Sequence, residues 1–240
     1  MIIAAILSGF VFGFDDKEVR FIFSNWFLNF LKFIFFSAIA LGVYAAAQYF
    51  VADKYGTRVD YSLWGVQRFG YHKAAYVHPI RFGPLSIKKF PLGIILPLLI
   101  SFLSSGGLYF VGIIASAFTI NPLYRLGRLF MKLTEFEEAK IAVSGPMANI
   151  LLAIIIKMLN LDILNGLVFV CSITAVCYIL PLPGLEGPKI LFGSRFLYIF
   201  SSAFILISAF LLNFLSGFWV LFLSLLIALV ILGHYFYKHS

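Results

Sequence analysis

The chain has 240 residues, 62% of them hydrophobic and only 12% charged, with a mean hydropathy of +1.02 and a formal net charge of +8. A soluble domain carries about 25% charged residues, so composition excludes one and points to a polytopic membrane protein with the lipid bilayer as its first partner. The positive charge does not mark a nucleic-acid binder, because Lys and Arg fall in loops between apolar runs, where topology places them.

The length accommodates about six hydrophobic segments of roughly 20 residues, hence a single membrane-embedded domain over 1–240. Met1 to Phe14 is apolar but lacks a basic leading region and a small-residue cleavage site, which predicts a retained short segment rather than a signal peptide. After Asp15-Asp16-Lys17-Glu18, the run from Phe21 to Ala52 is long enough for an interfacial turn around Trp26 followed by a full span. The loop from Asp53 to Phe90 carries Lys54, Arg58, Arg68, Lys73, Arg81, Lys88 and Lys89, which assigns that side to the cytoplasm. Inside it, Thr57-Arg58-Val59-Asp60-Tyr61-Ser62-Leu63 alternates polar and apolar, the period of a strand.

Pro91 to Ile120 cannot be one crossing without placing Arg125, Arg128, Lys132 and Lys140 on the wrong face. Pro97 and Gly106-Gly107 divide it into two short pieces, so a re-entrant excursion is expected, with Leu108 to Ile114 extended. Two further pairs of crossings follow, Ala142 to Leu159 with Leu167 to Leu180, and Phe196 to Leu212 with Phe218 to Tyr237. The fold class is therefore all-α and polytopic, with about six transmembrane or re-entrant segments and a small strand-like element at the cytoplasmic interface. Cys171 and Cys177 share one apolar run without metal-ligand spacing and read as buried free thiols.

Two stretches carry chemistry. Ala142-Val143-Ser144-Gly145-Pro146-Met147-Ala148-Asn149 opens a helix with small residues that let backbones approach closely, followed by an amide that needs partners. Leu180-Pro181-Leu182-Pro183-Gly184-Leu185-Glu186-Gly187 puts two prolines, two glycines and a carboxylate into otherwise apolar sequence. Prolines remove backbone donors, so this break must face protein or a watery cavity, and an ionisable group there is a site candidate.

In this order and spacing, the two stretches resemble the site-2 protease family of intramembrane zinc metalloproteases. Phe50-Val51-Ala52-Asp53-Lys54-Tyr55-Gly56 is similar to the sequence that follows the family's HExxH helix. The resemblance implies a site-2 protease-like fold and, in the family, a zinc ion held by two His and an Asp, with a Glu as base. Counting back from Phe50 places HExxH on Tyr44, Ala45, Ala46, Ala47 and Gln48, so both His ligands and the Glu are replaced. Glu186 stands at the Asp position, one methylene longer, and Tyr178 stands where the family has Asn.

HExxH works because a four-residue step sets two imidazoles on one helix face with a carboxylate between them. Tyr44 is a poor divalent-metal ligand, Ala45 moves no proton, and Gln48 offers a neutral carbonyl oxygen. His72, His78, His234 and His239 show no i, i+4 pair that could substitute. The expectation is a zinc centre dismantled at Tyr44, Ala45, Gln48 and Glu186, with no metal, no cofactor and no catalytic residue. Glu186 then reads as a carboxylate at a helix start near the interface, or as a remnant ligand held by Lys189, Arg195 or Gln48; the first is the one expected.

The resemblance also suggests that Arg58 and Asp60 on the strand, with Asn149 and Tyr178, border a groove between segments 31–52, 142–159 and 178–187. A strand edge there could add an extended segment of another membrane protein without any metal. The reading is a non-catalytic homologue in the cell membrane of a prokaryote, basic loops cytoplasmic, that binds or regulates membrane-protein segments. Two alternatives stand beside it: an active intramembrane protease with a non-standard centre, and a small-solute transporter or channel, since broken helices also mark transport sites.

Overall fold

The computed structural model describes residues 1–14, 22–65, 80–82, 85–87, 90–120 and 133–239. Among these residues the chain forms eight α-helices and two small antiparallel sheets. In chain order they are α1 (Ile2–Gly13), α2 (Phe23–Lys54), β1 (Thr57–Leu63), β2 (Ile80–Phe82), β3 (Leu85–Ile87), α3 (Leu92–Leu103), β4 (Ile114–Ile120), α4 (Glu135–Met158), α5 (Asn165–Ile179), α6 (Glu186–Gly193), α7 (Arg195–Leu211) and α8 (Gly217–His239). Asp15 to Glu18, Arg68, His72, Lys73, His78, Lys88, Lys89, Arg125, Arg128 and Lys132 lie outside the described residues.

Three helices, α2, α4 and α8, are long and apolar enough to cross a bilayer. The chain is on that ground a membrane protein, but the expected count of about six segments needs correction. The helices α1, α3, α5 and α7 run only 10–17 residues. At about 1.5 Å per residue, even 17 residues reach only ~26 Å, short of a ~30 Å hydrocarbon core. Helix α2 also departs from expectation. It is one unbroken helix of 32 residues with no turn at Trp26, whose ring instead stacks on Phe30 one turn along. Helix α4 starts seven residues before the apolar run at Ala142, because Thr134 and Glu137 close a capping box: the Thr134 hydroxyl accepts from the Glu137 N–H, and the Glu137 carboxylate accepts from the Thr134 N–H.

The predicted strand over Thr57–Leu63 is β1, and it pairs antiparallel with β4 from Thr57↔Ile120 to Leu63↔Ile114. Period-two alternation turns Thr57, Val59 and Tyr61 toward the helices and leaves Arg58, Asp60 and Ser62 exposed. The region before β4 is divided as expected: α3 ends at Leu103, and Leu108 to Ile113 run outside any helix. Gly93 at the start of α3 donates to the Trp64 carbonyl beside the sheet, while Phe102 near its end meets Phe10 and Phe14 of the α1 region. Tyr109 then packs on Phe12 and Phe169, and Ile114 brings the chain back to the sheet, so this excursion starts and finishes at one end of the bundle.

Helices α2 and α4 run antiparallel, with Gln48 level with Ala142 and Tyr44 level with Gly145. Helix α5 returns to the sheet end and stops at Ile179, because Leu180, preceding Pro181, is extended at φ −60° and ψ 140°. Gly184 then takes φ +95°, a left-handed conformation that glycine adopts without steric cost, and the turn delivers Glu186 to the first turn of α6. The Trp64 indole N–H donates to the Pro183 carbonyl at 2.8 Å, which fixes this turn against the end of β1. Cys171 and Cys177 are buried and unbridged on α5.

Candidate functional site

Four elements converge on one buried polar cluster at the sheet end of the bundle. Helix α2 contributes Tyr44 and Gln48, one turn apart on the face that meets α4. The sheet contributes the directly paired Tyr61 and Ser116, and α6 contributes Glu186 and Lys189. Tyr44, Gln48 and Glu186 are each no more than 1% exposed. Gly145 makes the packing possible: a Cβ there would lie 2.6 Å from a Tyr44 ring carbon, so only glycine lets the phenol pass against α4.

The hydrogen bonds form a directed chain. Tyr61 OH donates to Gln48 Oε1 at 2.9 Å. Gln48 Nε2 donates to Tyr44 OH at 3.3 Å and reaches the Ala142 carbonyl at 3.5 Å. Tyr44 OH donates to Glu186 Oε1 at 3.0 Å, and Ser116 Oγ donates to the same oxygen at 2.7 Å. Lys189 Nζ donates to Glu186 Oε2 at 3.1 Å, to Ser116 Oγ at 2.8 Å and to the Ser116 carbonyl at 2.6 Å. Burial first, and the Glu186 carboxylate second, push the Tyr61 phenol well above its ordinary range, so it remains a donor. Every polar side-chain atom in this chain has a partner, which is the condition under which a buried network stabilises rather than disrupts.

Of the sequence-derived positions, Tyr44, Gln48 and Glu186 are brought together, and Tyr178 borders them. Its ring lies 4.8 Å from that of Tyr44, and its hydroxyl accepts from the Ile114 N–H at 3.1 Å. Ala45 faces elsewhere, into an apolar cleft with Ile6, Ile34 and Ala38 between α1 and α2. Arg58 and Asp60 sit on the opposite face of the sheet from the cluster; they pair at 3.8 Å in solvent, and Asp60 accepts from Thr119 Oγ1 at 3.0 Å. Asn149 is fully buried one turn beyond Gly145, and both ends of its amide lack a hydrogen-bond partner among the described residues. Glu186 does begin a helix, as expected; its side chain is buried, and Lys189 holds it directly.

Ser116 and Tyr61 have no place in the sequence reading of the site. Tyr61 falls within the predicted strand, where alternation marks it as inward. Ser116 had only a weaker signal, a hydroxyl in a run of apolar and β-branched residues after a Gly-Gly pair.

The residues present do not fit a zinc ion. Zinc takes deprotonated nitrogen, sulfur or carboxylate donors at about 2.0–2.3 Å. Here the one carboxylate accepts three hydrogen bonds, the carboxamide oxygen accepts from Tyr61, and a fixed ammonium stands 3.1 Å from the carboxylate. Among the described residues no three His, Cys, Asp or Glu side chains gather as ligands. Compared with protein-family models, curated proteins and solved structures, the chain matches none.

Proposed function

We propose that this membrane protein is a non-catalytic homologue of the site-2 intramembrane metalloproteases that binds segments of other membrane proteins. The observation that carries the reading is the fate of Glu186. The carboxylate at the position of the family's third ligand is buried with Tyr44 and, through it, Gln48, and is neutralised by Lys189 instead of by a metal. With three donors on it, the Glu186 carboxylate is not free to serve as a base for hydrolysis, while the surrounding architecture keeps the features that suit binding.

Two of those features are specific. Strands β1 and β4 pair with each other alone among the described residues, and β1 is the edge that an extended segment could join, because on β4 the Ile114 N–H and the Ser116 carbonyl are already held by Tyr178 and Lys189. Asn149, buried without a partner, offers an amide that a backbone or a water could satisfy. In this reading the chain lies in the cell membrane of a prokaryote with its basic loops cytoplasmic. The shorter helices α5 and α7 complete the crossings, and α3 with the extended run behind it dips in and returns on the cytoplasmic side.

The test combines metal analysis, cleavage and crosslinking. Protein purified in detergent is expected to contain no stoichiometric zinc and to leave a transmembrane substrate uncut, while a photo-crosslinker at Arg58 captures membrane proteins. Stoichiometric zinc that disappears in Glu186→Ala, or cleavage that does, overturns the proposal in favour of an active centre. Absence of any crosslinked membrane protein removes the binding role.

A further inference from the structure

Lys189 is held as a bound cation is held. Its ammonium has three acceptors within 3.1 Å, the Ser116 carbonyl, Ser116 Oγ and Glu186 Oε2, so all three of its N–H bonds are used. The Phe118 ring packs beside the ammonium, its centroid 4.6 Å from Nζ, within the range of a cation–π contact. The acceptors come from two elements, β4 and α6, so the ammonium straps the sheet to the helix that carries Glu186.

We propose that Ser116, Phe118 and Glu186 form a genuine cation site, selective for a primary ammonium, of which the side chain of Lys189 is the resident ligand. The distances are those of a held ammonium. They run from 2.6 to 3.1 Å, the spacing of N–H···O bonds, whereas a small divalent ion needs oxygens near ~2.0–2.2 Å. An aromatic face is also a poor substitute for the oxygen ligands of a hard divalent cation, while it suits a desolvated ammonium. The site can be reached from outside, because the Lys189 side chain keeps 19% of its exposure while Glu186 keeps 1%. In the native chain the tethered ammonium closes this site to exchangeable cations.

Replacing Lys189 by Ala removes three carbons and the nitrogen, the atoms of n-propylammonium. The experiment is thermal unfolding of Lys189→Ala in detergent, titrated with n-propylammonium chloride, and with tetramethylammonium chloride, sodium chloride and zinc chloride as separate arms. The variant is expected to melt below wild type and to recover roughly half or more of the lost Tm in a saturable way with n-propylammonium, as ligand linkage requires. Wild type and Lys189→Ala/Glu186→Gln are expected to show no such response. Tetramethylammonium, which has no N–H donor, and the inorganic salts are expected not to restore it.

Recovery no greater than with sodium chloride, equal recovery without Glu186, or stronger stabilisation by zinc overturns the proposal. Should Lys189→Ala fail to fold, Lys189→Met keeps the length without the charge. A Tm equal to wild type in that variant shows that packing alone matters and also overturns it; a lowered Tm supports the need for the ammonium.

Discussion

Tyr44 and Gly145 illustrate how single residues set this site. A phenol at position 44 reaches the Glu186 carboxylate only because α4 presents no side chain at 145, and three Tyr44 ring carbons lie within 2.8 Å of where a Cβ would be. Gly145→Ala is therefore expected to destabilise the protein by about 1–3 kcal/mol, the usual cost of overpacking. In a Tyr44→Leu background, where the ring is gone, the same substitution should cost clearly less, and a double-mutant cycle measured by denaturation reads the difference. Equal costs in both backgrounds would show that the two residues do not constrain each other. Tyr44 and Gln48 were legible as a pair because a four-residue step puts them on one helix face. That the Gln48 carboxamide oxygen would be satisfied by a tyrosine from a strand was not, because Tyr61 lies 13 residues away in sequence and meets it only through folding.

At the scale of elements, termini were harder to read than segments. The apolar run at Ala142 marked α4 correctly, but its first two turns hold Glu135, Glu137, Glu138 and Lys140 and so lack the hydropathy on which the reading relied. Their helicity comes from the Thr134 cap and from acidic side chains at the positive end of the helix dipole. Thr134→Ala is expected to cost about 1 kcal/mol, with Thr134→Ser close to wild type. Unfolding midpoints of the two variants decide it, and a loss shared by both would place the effect elsewhere than in the cap. Strand β1 was legible to the residue because alternation is a direct signature of a half-buried strand, and its polar positions 58, 60 and 62 do lie outward. Its partner β4 was less so: Ile114 to Ile120 reads almost uniformly apolar, which does not separate a buried strand from a helix.

For the whole molecule, the contacts place the β1–β4 sheet and α6 at one end of the bundle. The C-termini of α4 and α7 and the N-terminus of α5 lie at the other, where Lys157, Asn165 and Asn213 line a common cleft of about 210 Å³. Helix α4 connects the two ends over 24 residues, or about 36 Å, enough to cross the bilayer. Cysteines introduced at Arg58 and at Asn213 are therefore expected to react with an impermeant maleimide from opposite faces of the membrane. The native Cys171 and Cys177, both buried, leave a low background. Labelling of both positions from one face would refute this arrangement.

The sequence by itself determined that this chain belongs in a membrane, where its long apolar helices fall to within a few residues apart from the start of α4, that 57–63 is extended and that the chain breaks at Pro181 to Gly187. Each of these follows from local composition or period, quantities carried by neighbouring residues. Only the tertiary structure decided that Tyr44, Gln48, Tyr61, Ser116, Glu186 and Lys189 share one buried hydrogen-bonded chain. It also decided that α2 runs unbroken past Trp26 and that, among the described residues, three helices reach the length of a span. The reason is physical: a buried carboxylate takes whichever donors packing brings within about 3 Å, and packing joins residues whose separation along the chain carries no local signal.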